Sequence, residues 1–196
     1  VAQEDGSIED PKDEDLYSYG TLAQVLKVFD MPDNSKSAIV QGISRLKILK
    51  YTKKDPFFCA AVEPVEDKPL ANTLKMDSLA KQLRQGFEDL MKVAPNLTEE
   101  HSGMLKNIQK LNRLTDRAIS VITIPNKEKQ QILEELDINK RAEKAINLIS
   151  REIQRIKLGD EIQSEVHDEI TKTQREYYLR EQMKAIKKEL GEDEGS

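Results

Sequence analysis

One cysteine, Cys59, stands in 196 residues, which excludes an internal disulfide framework and makes a reducing compartment the natural home. The longest apolar run, residues 119–124, is broken by Ser120 and Thr123 and is far too short to cross a bilayer. A secretory signal pattern is also missing, so the expected location is cytoplasmic and no membrane partner is expected. An excess of positive charge is lacking too: 31 Lys and Arg face 36 Asp and Glu, a net charge of -5. That balance argues against a general nucleic-acid binder, which needs a basic face for the phosphates. No glycine-rich phosphate loop, G-K-[ST], C-x-x-C or H-E-x-x-H pattern occurs, nor does an internal repeat. Enzyme chemistry therefore has little to stand on, and no catalytic residue, metal ligand or cofactor contact is assigned.

What the sequence does have is helix. Charged residues make up 34%, which suits exposed helices, and a hydrophobic share of 37% allows modest cores in one domain or two small ones. From Ala142, apolar residues fall at Ile146, Ile149, Ile153 and Ile156, then at Ile162, Val166 and Ile170, then at Tyr177, Leu179, Met183, Ile186 and Leu190. Steps of three and four make a stripe along a helix. Asp137 or Asn139 can cap its start, Gly191 can close its last turn, and Arg180, Lys184, Lys187 and Lys188 suit its C-terminal end. At 1.5 Å per residue such a helix is on the order of 75 Å long. Gly159 is its weak point, because an interior glycine costs about 1 kcal/mol relative to alanine. The expectation is one bent helix or two that meet there.

Ahead of it, residues 1–15 are acidic and without periodicity, and read as a loop. β-formers dominate residues 21–29 and 37–41, and Pro32-Asp33-Asn34-Ser35 between them has turn chemistry, so a hairpin is predicted. A third strand is expected over 44–51, with Leu46, Ile48 and Lys50 facing one way and Arg45, Lys47 and Leu49 the other. Residues 52–56 read as a turn, and 57–62 as a fourth strand. Short turns imply an antiparallel sheet, closed or capped to protect its edges. Composition shifts near Glu66, Asp67, Lys68 and Pro69, where a boundary is placed. Leu79, Leu83, Phe87, Leu90 and Met91 then mark a helix stopping near Pro95. Thr98 can cap a second that buries Met104, Leu105, Ile108 and Leu111. Residues 114–122 form a third, and Asn126 opens a fourth through Ile132, Leu133 and Leu136. Short amphipathic helices on short connections make a bundle.

Single residues read blandly. His101 and His167 are solvated or capping histidines rather than metal ligands. Cys59 fits a small buried hydrophobe better than a nucleophile, which would need a base beside it. Asn96-Leu97-Thr98 matches a glycosylation acceptor that is idle without a secretory signal. Two features ask for more. Phe29, Met31 and Pro32 flank the hairpin turn, where they either stand in water as an adaptable polypeptide contact or fold back to plug the sheet. Glu161, Glu165 and Glu169 repeat at i, i+4, a solvated face or the mark of a cationic partner.

The segment Gln174-Arg175-Glu176-Tyr177-Tyr178-Leu179-Arg180-Glu181-Gln182-Met183-Lys184-Ala185-Ile186 resembles the stretch preceding the ATPase module of the ATP-dependent Lon proteases of the LonA type. Asp15-Leu16-Tyr17, Gly20-Thr21-Leu22-Ala23, Met31-Pro32-Asp33, Gly42 with Arg45, and Leu136-Asp137-Ile138-Asn139-Lys140-Arg141 fit the same family in the same order. The resemblance covers essentially the whole chain, and it implies a sheet-rich first subdomain, a helical second one and a long helix leading toward the ATPase ring. Tyr177, Tyr178, Leu179, Met183 and Ile186 would lie on that approach. Similar proteins begin with further strands ahead of the position of Val1, and their phosphate loop and Ser-Lys dyad come after the position of Ser196. ATP and magnesium are thus expected of a parent protein, and none of the family's catalytic residues maps onto these positions.

The reading is an α+β chain: an antiparallel β-sheet or partial barrel over 1–68, then a helical subdomain over 69–196 ending in a long helix over about 139–190. It is expected to recognise unfolded or degron-bearing polypeptide and to support a homo-oligomer, hexameric in the parent and monomeric or dimeric as a fragment, in protein quality control. The rival is a free-standing coiled-coil scaffold that dimerises through the long helix, which the six-residue step from Ile156 to Ile162 counts against. An enzyme working through Cys59 comes third.

Overall fold

The structure, a computed structural model, describes residues 1–68 and 73–189. It forms two compact units, Val1–Ser150 and Arg151–Ser196. The first opens with irregular chain that is nonetheless paired: Gln3 bridges Leu16, and Asp13–Asp15 make a single 3-10 turn.

Three strands follow in the order β1 (Tyr19–Asp30), β2 (Lys36–Lys53) and β3 (Cys59–Val65), all antiparallel. The predicted hairpin is there. Asn34 takes the left-handed conformation at φ 64°, and Asp33 Oδ1 accepts from the Ser35 amide at 3.0 Å, the self-bonding that favours Asp in turns. One expectation needs correction. Residues 37–41 and 44–51 are not separate strands but parts of β2, which runs on through Gly42. Leu22 pairs with Ser44 and Ala23 with Gly42, so Ile43 is an extra residue without a partner in β1. A bulge of this kind resets the alternation of faces, and a period-two reading sees a break. Gly42 is needed there for closeness, since a Cβ on it would lie 3.2 Å from Thr21 Cγ2. The sheet is not closed, because three described strands are too few, and it stands as the expected antiparallel sheet in open form.

Helices α1 (Thr73–Met91), α2 (Glu99–Lys106), α3 (Leu111–Val121) and α4 (Asn126–Glu134) make the bundle, joined by the first turns of α5 (Ile138–Glu189). Its core is Leu79, Leu83, Phe87, Leu90, Leu105, Leu114, Ala118, Ile132, Ala142 and Ile149. These are the predicted helix faces. Leu111 is buried as expected but opens α3, whereas Met104 is 39% exposed, its sulfur met by Arg117 Nη2 at 3.1 Å. Thr98 stands at the N-cap of α2, where its amide donates to His101 Nδ1 at 3.1 Å, so His101 is a capping histidine. Of the two candidate caps for α5, Asp137 serves: its Oδ1 accepts from the amides of Asn139 at 3.0 Å and Lys140 at 3.1 Å.

The second unit is the remainder of α5, which is continuously helical through Gly159, so of the two expected alternatives it is one helix and not two. Its apolar residues Ile162, Val166 and Ile170 are exposed, as is His167. Leu190 and the predicted closing residue Gly191 lie outside the described residues.

Candidate functional site

At the hairpin tip the predicted contact residues come together in solvent. Phe29 is 37% and Met31 44% exposed, and Pro32 is exposed beside them. They do not fold back as a plug. The Met31 amide donates to the Ser35 carbonyl at 2.9 Å, which fixes the turn from which the side chains project. Lys27 Nζ stands 4.9 Å from the centroid of the Phe29 ring, a cation over an aromatic face. The apolar surface runs well beyond the tip: Val25, Leu26, Val28, Ile39 and Val40 are each more than half exposed along the paired strands. The continuous β-formers were the available signal, but they are equally compatible with a buried strand.

Nearer the bundle, the sheet and helices enclose a groove of about 780 Å³ that no sequence pattern announced. Ile43, the bulge residue, lines it from β2, with Ile119, Ile132 and Leu133 from α3 and α4. On α3, Arg113, Asp116 and Arg117 line it as neighbours on one helix face, and Lys129 faces it from α4.

Behind the groove lies a buried ion network. Arg45 Nη2 of β2 is 2.5 Å from Asp116 Oδ1, and Arg45 Nε donates to the Leu133 carbonyl at 3.0 Å. Arg141 of α5, fully buried, hydrogen-bonds Asp67 and donates from Nε to the Glu135 carbonyl at 2.7 Å. Its Nη1 is 3.5 Å from Asp116 Oδ1, too poorly aligned for a hydrogen bond. Asn112 Nδ2 adds a bond to Asp67 Oδ2 at 2.9 Å. Two cations and two carboxylates thus balance inside the fold, as buried charges must. Burial alone would raise the Asp67 pKa, but hydrogen bonds from Arg141 and Asn112, with the charges of Arg141 and Arg45, outweigh it and hold the carboxyl below its ordinary value.

Tyr177, Tyr178, Leu179, Met183 and Ile186 are all exposed in the second unit, where Gln182 Nε2 donates to the Tyr178 hydroxyl at 2.9 Å. Cys59 is half-buried at the start of β3. Among the described residues no group of three or more His, Cys, Asp or Glu could hold a metal ion, and no helix is long and apolar enough to cross a membrane.

An open three-stranded sheet with a water-facing hairpin, followed by a bundle that ends in a long helix, defines an α+β accessory module of the kind found at the front of Lon proteases. Residues 1–151 match the family model described as ATP-dependent protease La (LON) substrate-binding domain, and the chain belongs to that family. The Lon protease of Anaeromyxobacter dehalogenans (strain 2CP-C) is 36% identical over 191 residues, 97% of this chain and 23% of that protein. That of Koribacter versatilis (strain Ellin345) is 36% identical over 197 residues, 100% of this chain and 24% of its own length. The chain thus spans about a quarter of the curated relatives it matches. Among solved structures, the N-terminal domain of Mycobacterium avium complex Lon protease superposes with a TM-score of 0.56 at 23% identity, covering 71% of this chain and 74% of that one. This likeness supports the fold.

Proposed function

We propose that this domain captures unfolded or degron-bearing polypeptide through the hairpin of β1 and β2, for an ATP-dependent Lon-type serine protease whose motor and Ser-Lys dyad lie in other parts of the protein. The observation that carries the reading is the solvent-facing cluster of Phe29, Met31 and Pro32 at the end of an exposed apolar ribbon. Methionine and aromatic groups adapt to many sequences, as a quality-control receptor requires. ATP and magnesium belong to the parent protein, in the cytoplasm. The exposed Tyr177, Leu179, Met183 and Ile186 would face the ATPase module or neighbouring subunits of a homo-oligomer. The boundary at 68/69 is proposed as a change of architecture from sheet to helix.

Replacing Met31 by Asp tests the tip, because its carboxylate would have to be desolvated against an apolar ligand. Binding of a carboxymethylated, permanently unfolded protein should weaken by about tenfold with no change in melting temperature. Normal binding by the folded variant would place the contact elsewhere. Ile186→Asp should leave this binding intact.

The exposed apolar residues of the second unit favour one other reading, a scaffold dimer through α5. Leu158, Ile162, Val166 and Ile170 follow one another at steps of four, a spacing that drifts around the helix instead of keeping a heptad seam. Sedimentation across a concentration series separates the two, since the scaffold reading demands a stable dimer without substrate.

A further inference from the structure

Most of this acidic protein is a poor surface for anions, yet one place in the first unit is not. Arg113, Arg117 and Lys129 all line the groove between β2 and the helices α3 and α4, and none of them has a carboxylate within ion-pair distance among the described residues. Arg117 is held only by the Met104 sulfur, a weak acceptor, and Lys129 Nζ reaches the Ser120 carbonyl at 3.5 Å. The single lining carboxylate, Asp116, is already taken by Arg45 and Arg141. Beside these cations the lining is mixed, with Ile43 and Leu133 next to Gln41, Ser44, Asn126 and Gln130. Ile43 is 63% exposed, and the bulge that leaves it unpaired in β1 re-aims this part of the strand toward the groove. Cations with spare donors in one groove with an exposed isoleucine complement one chemistry: an extended segment in which a large apolar side chain stands next to a carboxylate.

We infer that this groove is a second polypeptide site, specific for apolar residues flanked by aspartate, glutamate or a terminal carboxylate. The inference rests on the substrate-binding reading above and gives it a selectivity that the hairpin tip lacks. Charge-assisted bonds from Arg113 and Arg117 read the carboxylate, while Ile43 and its neighbours accept the side chain. A nucleic acid is disfavoured because no aromatic side chain lines the groove, among the described residues, for bases to stack on.

The test uses the whole chain and two labelled peptides of equal length. One has leucine and phenylalanine flanked by glutamates, and its twin has glutamine at each glutamate. By fluorescence anisotropy the acidic peptide should bind about tenfold more tightly, and added salt should erase the difference. The double variant Arg113→Gln/Arg117→Gln should also erase it. Both arginines are exposed, so the melting temperature should hold. Equal affinity of the two peptides for the unmodified protein, or an unchanged preference in the double variant, would overturn the inference. So would displacement of the acidic peptide by a short oligothymidylate at lower concentration than by unlabelled peptide. Capture of the carboxymethylated protein, measured on the same preparations, is the separate check on the underlying reading. It should survive in the arginine variant and weaken by about tenfold in Met31→Asp.

Discussion

Arg141 shows what a single buried charge requires of the residues around it. Its guanidinium is fully enclosed and is met by Asp67, by the Glu135 carbonyl and, at longer range, by Asp116. Truncation to Ala would leave Asp67 with Asn112 and only the more distant Arg45, at 3.9 Å, and should cost about 3 kcal/mol, read as a lower denaturant midpoint. Asp67→Asn combined with Arg141→Met should cost less than the sum of the two single changes, because each single change orphans a partner that the double change removes. Strict additivity would mean that the two groups do not act as a unit. The pH dependence follows from the same contact. The folded-state pKa of Asp67 is depressed below 3.8, so its contribution is fully present above that value. It is lost as pH falls from about 4 through the lower, folded pKa. The unmodified protein should therefore lose more stability than Asp67→Asn over that acid range.

The elements differ in how far the sequence declared them. Helices α1 to α4 and the start of α5 were legible because their buried residues keep one period and because Thr98, at α2, and Asp137, at α5, are caps whose chemistry is local. The hairpin turn was legible for the same reason, since Asp33 and Ser35 bond each other. β2 was not, because a bulge is defined by its partner strand: nothing in Gly42-Ile43-Ser44 states that Ala23 and Leu22 will sit opposite and leave Ile43 unpaired. The groove was hidden for a related reason. Its walls come from positions far apart in sequence, and Arg113, Arg117 and Lys129 look like ordinary solvated charges until the fold puts them around one space. Arg141 was noticed only through family likeness and Arg45 otherwise only as a strand-face residue, and pairwise geometry explains their presence. Along α5, glycine propensity left open one bent helix or two, and the helix is continuous through Gly159. A Cβ at Gly159 would meet nothing within 4 Å, so Gly159→Ala should stabilise the helix by up to about 1 kcal/mol. Slower amide exchange on either side of position 159 would show it, and a loss of helicity would contradict it.

At the scale of the first unit, sheet and bundle are tied by bonds that neither can make alone. Besides Arg45 to Asp116, Gln130 Nε2 of α4 donates to the Tyr19 carbonyl of β1 at 3.1 Å. A fragment of residues 1–68 should therefore keep the hairpin turn but protect the amides of residues 44–48 less well than the whole protein does; equal protection would show the sheet to be autonomous. The same long ties set a schedule for synthesis. Asp116 is made 71 positions after Arg45, an interval on the order of 4 to 14 s at about 5 to 20 residues per second. Arg141 follows later still. Through that interval the nascent sheet has its apolar ribbon formed and its helical anchor unmade, so the domain passes through a stage in which it is itself a client for chaperones.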